Sequence, residues 1–238
     1  RQRQMCIRDR CKTSQYMCKN NIVLLVGYGG SGKSSSTQAF VNMLNAYNKR
    51  HLLLAPTGRA AKVLSGFTNE NAMTIHRGLM YMPPADWGFN EENKLPYDVV
   101  IVDEFSMVDI FLFRKLLEAI DFEKTKLLLI GDDAQIPSVG AGNVLYDLLK
   151  CENIPTITLD KVFRYGKGGL STVATDTRTG TEYLDKTKTG MQVFGEDQSY
   201  IFMPILQDKL VGYTVKLYQT LLSLSLIHIS EPTRRTPI

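Results

Sequence analysis

Paired cysteines are missing from this chain. Its four cysteines, Cys6, Cys11, Cys18 and Cys151, form no C-x-x-C pair, the spacing a zinc site calls for. Three crowd the N-terminus and one stands alone, so reduced thiols in a cytosolic protein are the expectation. Long apolar runs are missing too. No stretch of about 18 or more apolar residues occurs, which speaks against a membrane-spanning helix. No basic, then apolar, then small-residue leader opens the chain, which speaks against a secretory signal. A bulk positive charge is also lacking where it would matter. The net charge is +4, but Arg1, Arg3, Arg8 and Arg10 against Asp9, and Arg234 and Arg235 against Glu231, account for all of it. The interior is neutral, so affinity for nucleic acid has to come from local placement of charge.

The two ends stand apart from the rest. RQRQMCIRDR and SLIHISEPTRRTPI have no apolar periodicity in common with the interior. Both resemble peptides that arise when sequencing-adapter DNA is translated as gene. Residues 1–12 and 224–238 are therefore set aside as non-native extensions.

Between them, apolar β-branched runs alternate with amphipathic stretches. Strands are predicted at Ile22–Val26, His51–Ala55, Val99–Val102, Lys126–Ile130 and Thr156–Leu159. Helices are predicted at about 34–48, 58–65, 111–120 and 144–150. Such alternation implies an α/β domain, a mainly parallel sheet flanked by helices, with its ligand beyond the carboxyl ends of the strands. The stretch Pro83–Pro96, with Trp87 and Phe89 among polar residues, breaks the alternation as a small insertion. After Arg164 the pattern weakens. Residues 167–180 and 187–195 are rich in Gly, Thr and charge, a strand is predicted near 199–203, and a helix over 207–222.

Every suspicious polar cluster follows a strand at the same end. Gly27-Tyr28-Gly29-Gly30-Ser31-Gly32-Lys33-Ser34 fits G-x-x-x-x-G-K-[ST]. Glycines there let backbone N–H groups turn around an anion, and the helix that follows adds its positive end. In this arrangement Gly29, Gly30, Ser31, Gly32, Lys33, Ser34 and Ser35 cradle the phosphates of ATP. Lys33 reaches the β- and γ-phosphates, and the Ser34 hydroxyl holds Mg²⁺. Asp103 and Glu104 end the third strand. Asp103 is the candidate Mg²⁺ partner and Glu104 the candidate for polarising the attacking water, the alternative being two N-cap carboxylates. Gln135, in Gly131-Asp132-Asp133-Ala134-Gln135-Ile136-Pro137, is a neutral donor and acceptor that could sense a γ-phosphate; a plain turn is the alternative. Arg164 is a candidate guanidinium for transferred charge, or else a surface ion-pair residue.

Together these residues resemble the RecD-like branch of superfamily 1 DNA helicases over about 22–164. GYGGSGKSS is similar to its motif I, APTGRAAKVL to motif Ia, TIHRGL to the following DNA-contact segment, VIVDEFSMVD to motif II, GDDAQIPSVGAGNVLYDLL to motif III, and LDKVFRYG to motif IV. The resemblance implies a RecA-like P-loop NTPase domain over 13–160, with an insertion at about 80–96. An incomplete start of a second RecA-like motor domain would follow over 161–223. It implies ATP and Mg²⁺ as cofactors, with Lys33, Glu104, Gln135 and Arg164 catalytic and Ser34 and Asp103 at the metal. It implies single-stranded DNA and duplex junctions as partners, contacted by Pro56, Thr57, Gly58, Arg59 and His76, and 5′→3′ unwinding driven by ATP hydrolysis. His76 as a buried, satisfied histidine and Arg59 as a surface residue are the plainer alternatives. The insertion sits where such helicases carry a strand-separating pin, with Trp87 or Phe89 at its tip.

Two departures qualify the resemblance. No adenine-reading glutamine motif is recognisable before Ile22, and motifs V and VI do not follow. The sequence is thus expected to be an N-terminal fragment that binds ATP poorly and does not unwind DNA by itself. A bacterial cytoplasm, with a phage-encoded gene as a variant of that origin, is the expected setting. The competing reading is another P-loop ATPase or a small-molecule kinase, which would need neither Gln135 nor APTGRAA; stimulation of ATPase by single-stranded DNA separates the two.

Overall fold

The computed structural model describes residues 12–159 and 168–230, with side chains to residue 223. Two compact units divide between Gly166 and Lys167. In the first, six parallel strands form one sheet in the order β3-β2-β6-β7-β1-β8. They are β1 (Ile22–Gly27), β2 (His51–Ala55), β3 (Ala72–Thr74), β6 (Val99–Val102), β7 (Lys126–Gly131) and β8 (Thr156–Leu159). The pairings are in parallel register, Val23 with Leu128 and Val100 with Leu127 among them, so all six strands end at one rim.

The sequence explains why both faces are covered. In β1 four successive residues, Val23 to Val26, are apolar and buried. Alternate side chains point to opposite faces of a strand, so both faces need helices. Val23, Leu25, Leu53, Ile101, Leu128 and Ile130 pack with Met17, Phe40, Val41, Leu44 and Leu64. Those come from α1 (12–19 among the described residues), α2 (Lys33–Ala46) and α3 (Gly58–Thr68). Leu24, Val26, Leu54, Val100, Val102, Leu127 and Leu129 pack on the other face against Ile75, Leu79, Phe113, Leu116 and Leu145. These belong to or flank α4 (Ile75–Gly78), α5 (Ile110–Glu118) and α6 (Val144–Leu149). Burying each such side chain contributes about 1.5–3 kcal/mol.

The 80–96 insertion carries a two-residue antiparallel pair, β4 (Tyr81–Met82) with β5 (Asp86–Trp87). This corrects the expectation of an aromatic tip. Residues 83–85 make the turn, while Trp87 and Phe89 are partly buried against the core. Large apolar rings gain more from packing there than from exposure at a turn.

The second unit, as far as it is described, holds α7 (Gly169–Thr179), the antiparallel pair β9 (Gln192–Phe194) and β10 (Tyr200–Phe202), and α8 (Leu210–Ser230). Asp197 and Ser199 accept from the backbone N–H groups of Gly169 and Leu170 at 2.9 Å each and so start α7. Among the described residues no helix is long and apolar enough to cross a membrane.

Candidate functional site

The chain leaves β1 at Gly27 under tight packing. A Cβ there would lie 2.5 Å from the Ser31 hydroxyl and 2.8 Å from Leu159 Cβ. The loop then turns so that Gly32, the N-cap of α2, adopts φ 95°, which only glycine takes without strain. α2 begins at Lys33, so its first free N–H groups face into the loop. This gives a cavity of about 420 Å³ lined by Gly29, Gly30, Gly32, Lys33, Ser34 and Ser35, with Glu104 and Gln135 opposite. Tyr28 and Phe67 supply apolar walls.

Lys33 is held from two sides. Its ammonium donates to the Gly27 carbonyl and lies 3.7 Å from the carboxylate of Asp132, which is 2% exposed. Asp132 also organises the loop after β7. Its Oδ1 accepts from Ala134 N–H at 3.1 Å and its carbonyl from Gln135 N–H at 3.2 Å. The Gln135 side chain is reached by the Ser106 hydroxyl at 3.4 Å. Sequence reasoning passed over Asp132, Ser106 and Phe67. The first could have been suspected from its place directly after a buried strand; the other two carry no sequence signal.

Asp103 and Glu104 differ in environment. Burial pushes the Asp103 carboxyl up to about 6, with the neighbouring Glu104 charge adding to the rise. The Glu104 N–H and the Lys33 charge oppose it. Glu104 N–H donates to Asp103 Oδ1 at 2.9 Å. Glu104 itself has φ 51°, a left-handed conformation that non-glycine residues hold only where surroundings enforce it. The capping alternative for this pair does not hold. α5 is capped by Asp109, whose Oδ1 accepts from Leu112 N–H at 2.8 Å.

A metal-bearing polyphosphate suits these donors. The Ser31 hydroxyl and Glu104 Oε2 are buried without a hydrogen-bond partner, a costly state that a polar ligand relieves. Ser34 and Asp103 offer the hard oxygen atoms that a small divalent cation prefers. Asp103 does not itself line the cavity but lies close enough to Lys33 to feel its charge.

The other expected residues fall as follows. Pro56, Thr57, Gly58 and Arg59 stand where β2 passes into α3, with Gly58 and Arg59 exposed. Thr57 caps the helix, accepting from Ala60 N–H at 3.2 Å. His76 is exposed in α4 and stacks on Trp87, centroids 5.6 Å apart, so the buried-histidine alternative fails. Arg164 lies outside the described residues.

A strand, a glycine loop opening a helix, and acids beyond neighbouring strands define a P-loop nucleotide-binding α/β protein. Residues 11–193 match the AAA domain family, and the chain belongs to it. Membership implies nucleotide binding with a metal ion. The chain is 36% identical over 156 residues to the ATP-dependent RecD2 DNA helicase of Deinococcus radiodurans, covering 66% of this chain and 21% of that protein. It is 34% identical over 154 residues to the RecBCD enzyme subunit RecD of Mycolicibacterium smegmatis, covering 54% and 28%. It therefore spans between a fifth and three tenths of these relatives' length. The Pif1 helicase of Candida albicans shares the fold, with a TM-score of 0.52 and 22% identity over 71% of this chain and 43% of that one.

Proposed function

We propose that this chain carries the ATP-hydrolysing site of a RecD-like DNA helicase, which couples hydrolysis to 5′→3′ movement on single-stranded DNA and to unwinding at duplex junctions. The observation that carries the reading is the convergence of Lys33, Ser34, Glu104 and Gln135 on one cavity at the rim of a parallel sheet. The identity to helicases of this branch supports it.

The roles proposed for the residues combine their surroundings, where these are described, with the resemblance to RecD-like helicases. The N–H groups of 29–34 and the start of α2 hold the phosphate oxygens. Lys33 exchanges Asp132 for the β- and γ-phosphate oxygens. Mg²⁺, held by Ser34 and Asp103, supplies neutralising charge across the phosphates. Glu104 orients the attacking water and accepts its proton. Gln135 reads the γ-phosphate, and Arg164 adds a guanidinium. Pro56, Thr57, Gly58, Arg59 and His76 track the DNA strand through its phosphates, without reading sequence. A motor of this kind works where bacterial DNA lies, in the cytoplasm.

Two measurements test this. In the full-length helicase proposed here, magnesium-dependent ATP binding is expected by calorimetry, with Lys33→Ala weakening it at least tenfold. Its steady-state hydrolysis is expected to rise on adding oligothymidylate. The 238-residue chain alone is expected to bind ATP only weakly. Nucleotide binding that is indifferent to Lys33→Ala, or hydrolysis indifferent to single-stranded DNA, would refute the reading.

A further inference from the structure

A second cavity, of about 360 Å³, opens beside the insertion and far from the glycine loop in sequence. It is lined by His76, Trp87, Asp109, Phe111, Arg114 and Lys115, with Leu112 at its floor. Its size falls within the range of ligand-binding clefts.

The walls are aromatic and mutually braced. Tyr81, His76 and Trp87 form a cluster in which Tyr81 and Trp87 are 4.6 Å apart and His76 lies stacked at 30° to Trp87. Trp87 is pinned from below by the core and fixed in register opposite Tyr81. Phe111 faces the same cavity from the first turn of α5 with 69% of its surface exposed. The first turn of α5 has its cap and so does not need Phe111 for its own stability. An apolar ring so exposed, beside a rigid stack, is a surface that gains from a planar partner.

The rim of the cavity carries two cations, Arg114 and Lys115. Arg114 and Lys115 share the single carboxylate of Glu118, at 2.6 and 2.7 Å. Their side chains stay 74% and 39% exposed. The Asp109 carboxylate, which caps α5, also lines the cavity, so the formal charges of Arg114, Lys115, Glu118 and Asp109 balance. The Arg114 guanidinium is the more exposed of the two cations. A planar, π-faced group on a negatively charged backbone matches rings flanked by cations. The cavity also includes His76, one of the residues proposed above to lie along the DNA strand.

We propose that this cavity is a base-stacking subsite for single-stranded DNA, with one base seated between Phe111 and the His76–Trp87 stack and its phosphate near Arg114 and Lys115. The inference rests on the helicase reading above, and adds to it the side chain Phe111 and a fixed place where the strand is gripped by a base rather than by phosphate alone.

Trp87 is the sole tryptophan, so its emission reports the cavity directly. The test titrates the whole chain with oligothymidylate, following tryptophan emission, and in parallel follows the anisotropy of a fluorescein-labelled copy. Quenching that saturates with the anisotropy change is expected. Phe111→Ala should weaken binding about five- to tenfold and remove most of the quenching. Phe111→Tyr, which keeps the ring, should restore both. Thermal melts check that each variant folds; because Phe111 is exposed, the midpoints should agree within a degree or two. Oligonucleotide binding that leaves Trp87 emission and the Phe111→Ala affinity unchanged would overturn the subsite and leave the helicase reading standing. Failure of the unsubstituted chain to bind any oligonucleotide would overturn both.

Discussion

Asp103 shows how one residue can serve the ligand at the expense of the fold. Its carboxyl ionises at about 6 in the folded chain against an ordinary 3.8. The folded state thus holds the proton more tightly than the unfolded state does. The contribution of this group to stability is greatest below the ordinary value and is lost as pH rises through about 6. At pH 7.5 the penalty is on the order of 3 kcal/mol at most. Asp103→Asn is therefore expected to raise the thermal midpoint of the metal-free protein at pH 7.5, with little gain at pH 4.5, and to abolish magnesium-dependent nucleotide binding. Equal melting curves at both pH values would show that burial does not set this group. At this scale the sequence was informative where a motif fixes the residue, as with Lys33 and Glu104. It was silent where a partner comes from elsewhere in the chain. Asp132 meets Lys33 because β7 lies beside β1, a neighbourhood that spacing along the chain does not reveal.

Among the elements, β7 illustrates what was legible and what was not. Lys126–Ile130 reads as a buried strand from its apolar run, and the structure extends it by one glycine. Leu128 is fully buried among residues from both neighbouring strands and from α2. Leu128→Ala is expected to cost about 2–5 kcal/mol, measured by urea unfolding. A loss under about 1 kcal/mol would mean that the strand is not central. β3 escaped detection because its three residues contain a single large apolar side chain, Met73. Its pairing with β2 and the bond from Ala72 N–H to the Ser65 hydroxyl at 2.8 Å hold it in place, and neither is a local preference. α7 was hidden similarly. Gly and Thr are weak helix formers, and the helix start is supplied by Asp197 and Ser199, 28 and 29 residues further along the chain than the N–H groups they accept from. Trp87 and Phe89 were misplaced at a tip because hydrophobicity within an insertion does not tell tip from base.

For the molecule as a whole, the division after Gly166 separates unequal partners. Both apolar clusters are drawn from residues between Met17 and Leu159. The first unit accordingly has a complete core of its own. A chain spanning 12–166 is expected to unfold cooperatively, with a urea midpoint, followed by Trp87 emission, matching that of the 238-residue chain. A broad, early transition in the shorter chain would mean that the second unit contributes to that core. The α/β class and the parallel sheet were readable from alternation alone, but the order of the strands within the sheet was not. In the second unit the strand near 199–203 and the helix over 207–222 were legible and correspond to β10 and α8, whereas α7 and β9 lay in stretches rich in Gly, Thr and charge. α8 exposes Leu210, Val211, Tyr213, Leu217, Tyr218 and Leu221 together, without the single apolar face of a packed helix.

Because β7 lies between β6 and β1, the loop it carries borders both banks of the nucleotide cavity. One end of that loop faces the lysine and the other is tied to Ser106. A shift on either bank thus reaches its counterpart through a short stretch of backbone rather than through the body of the protein. Of the outermost strands, β8 belongs to this framework as well, because Leu159 packs closely against Gly27 where the glycine loop begins.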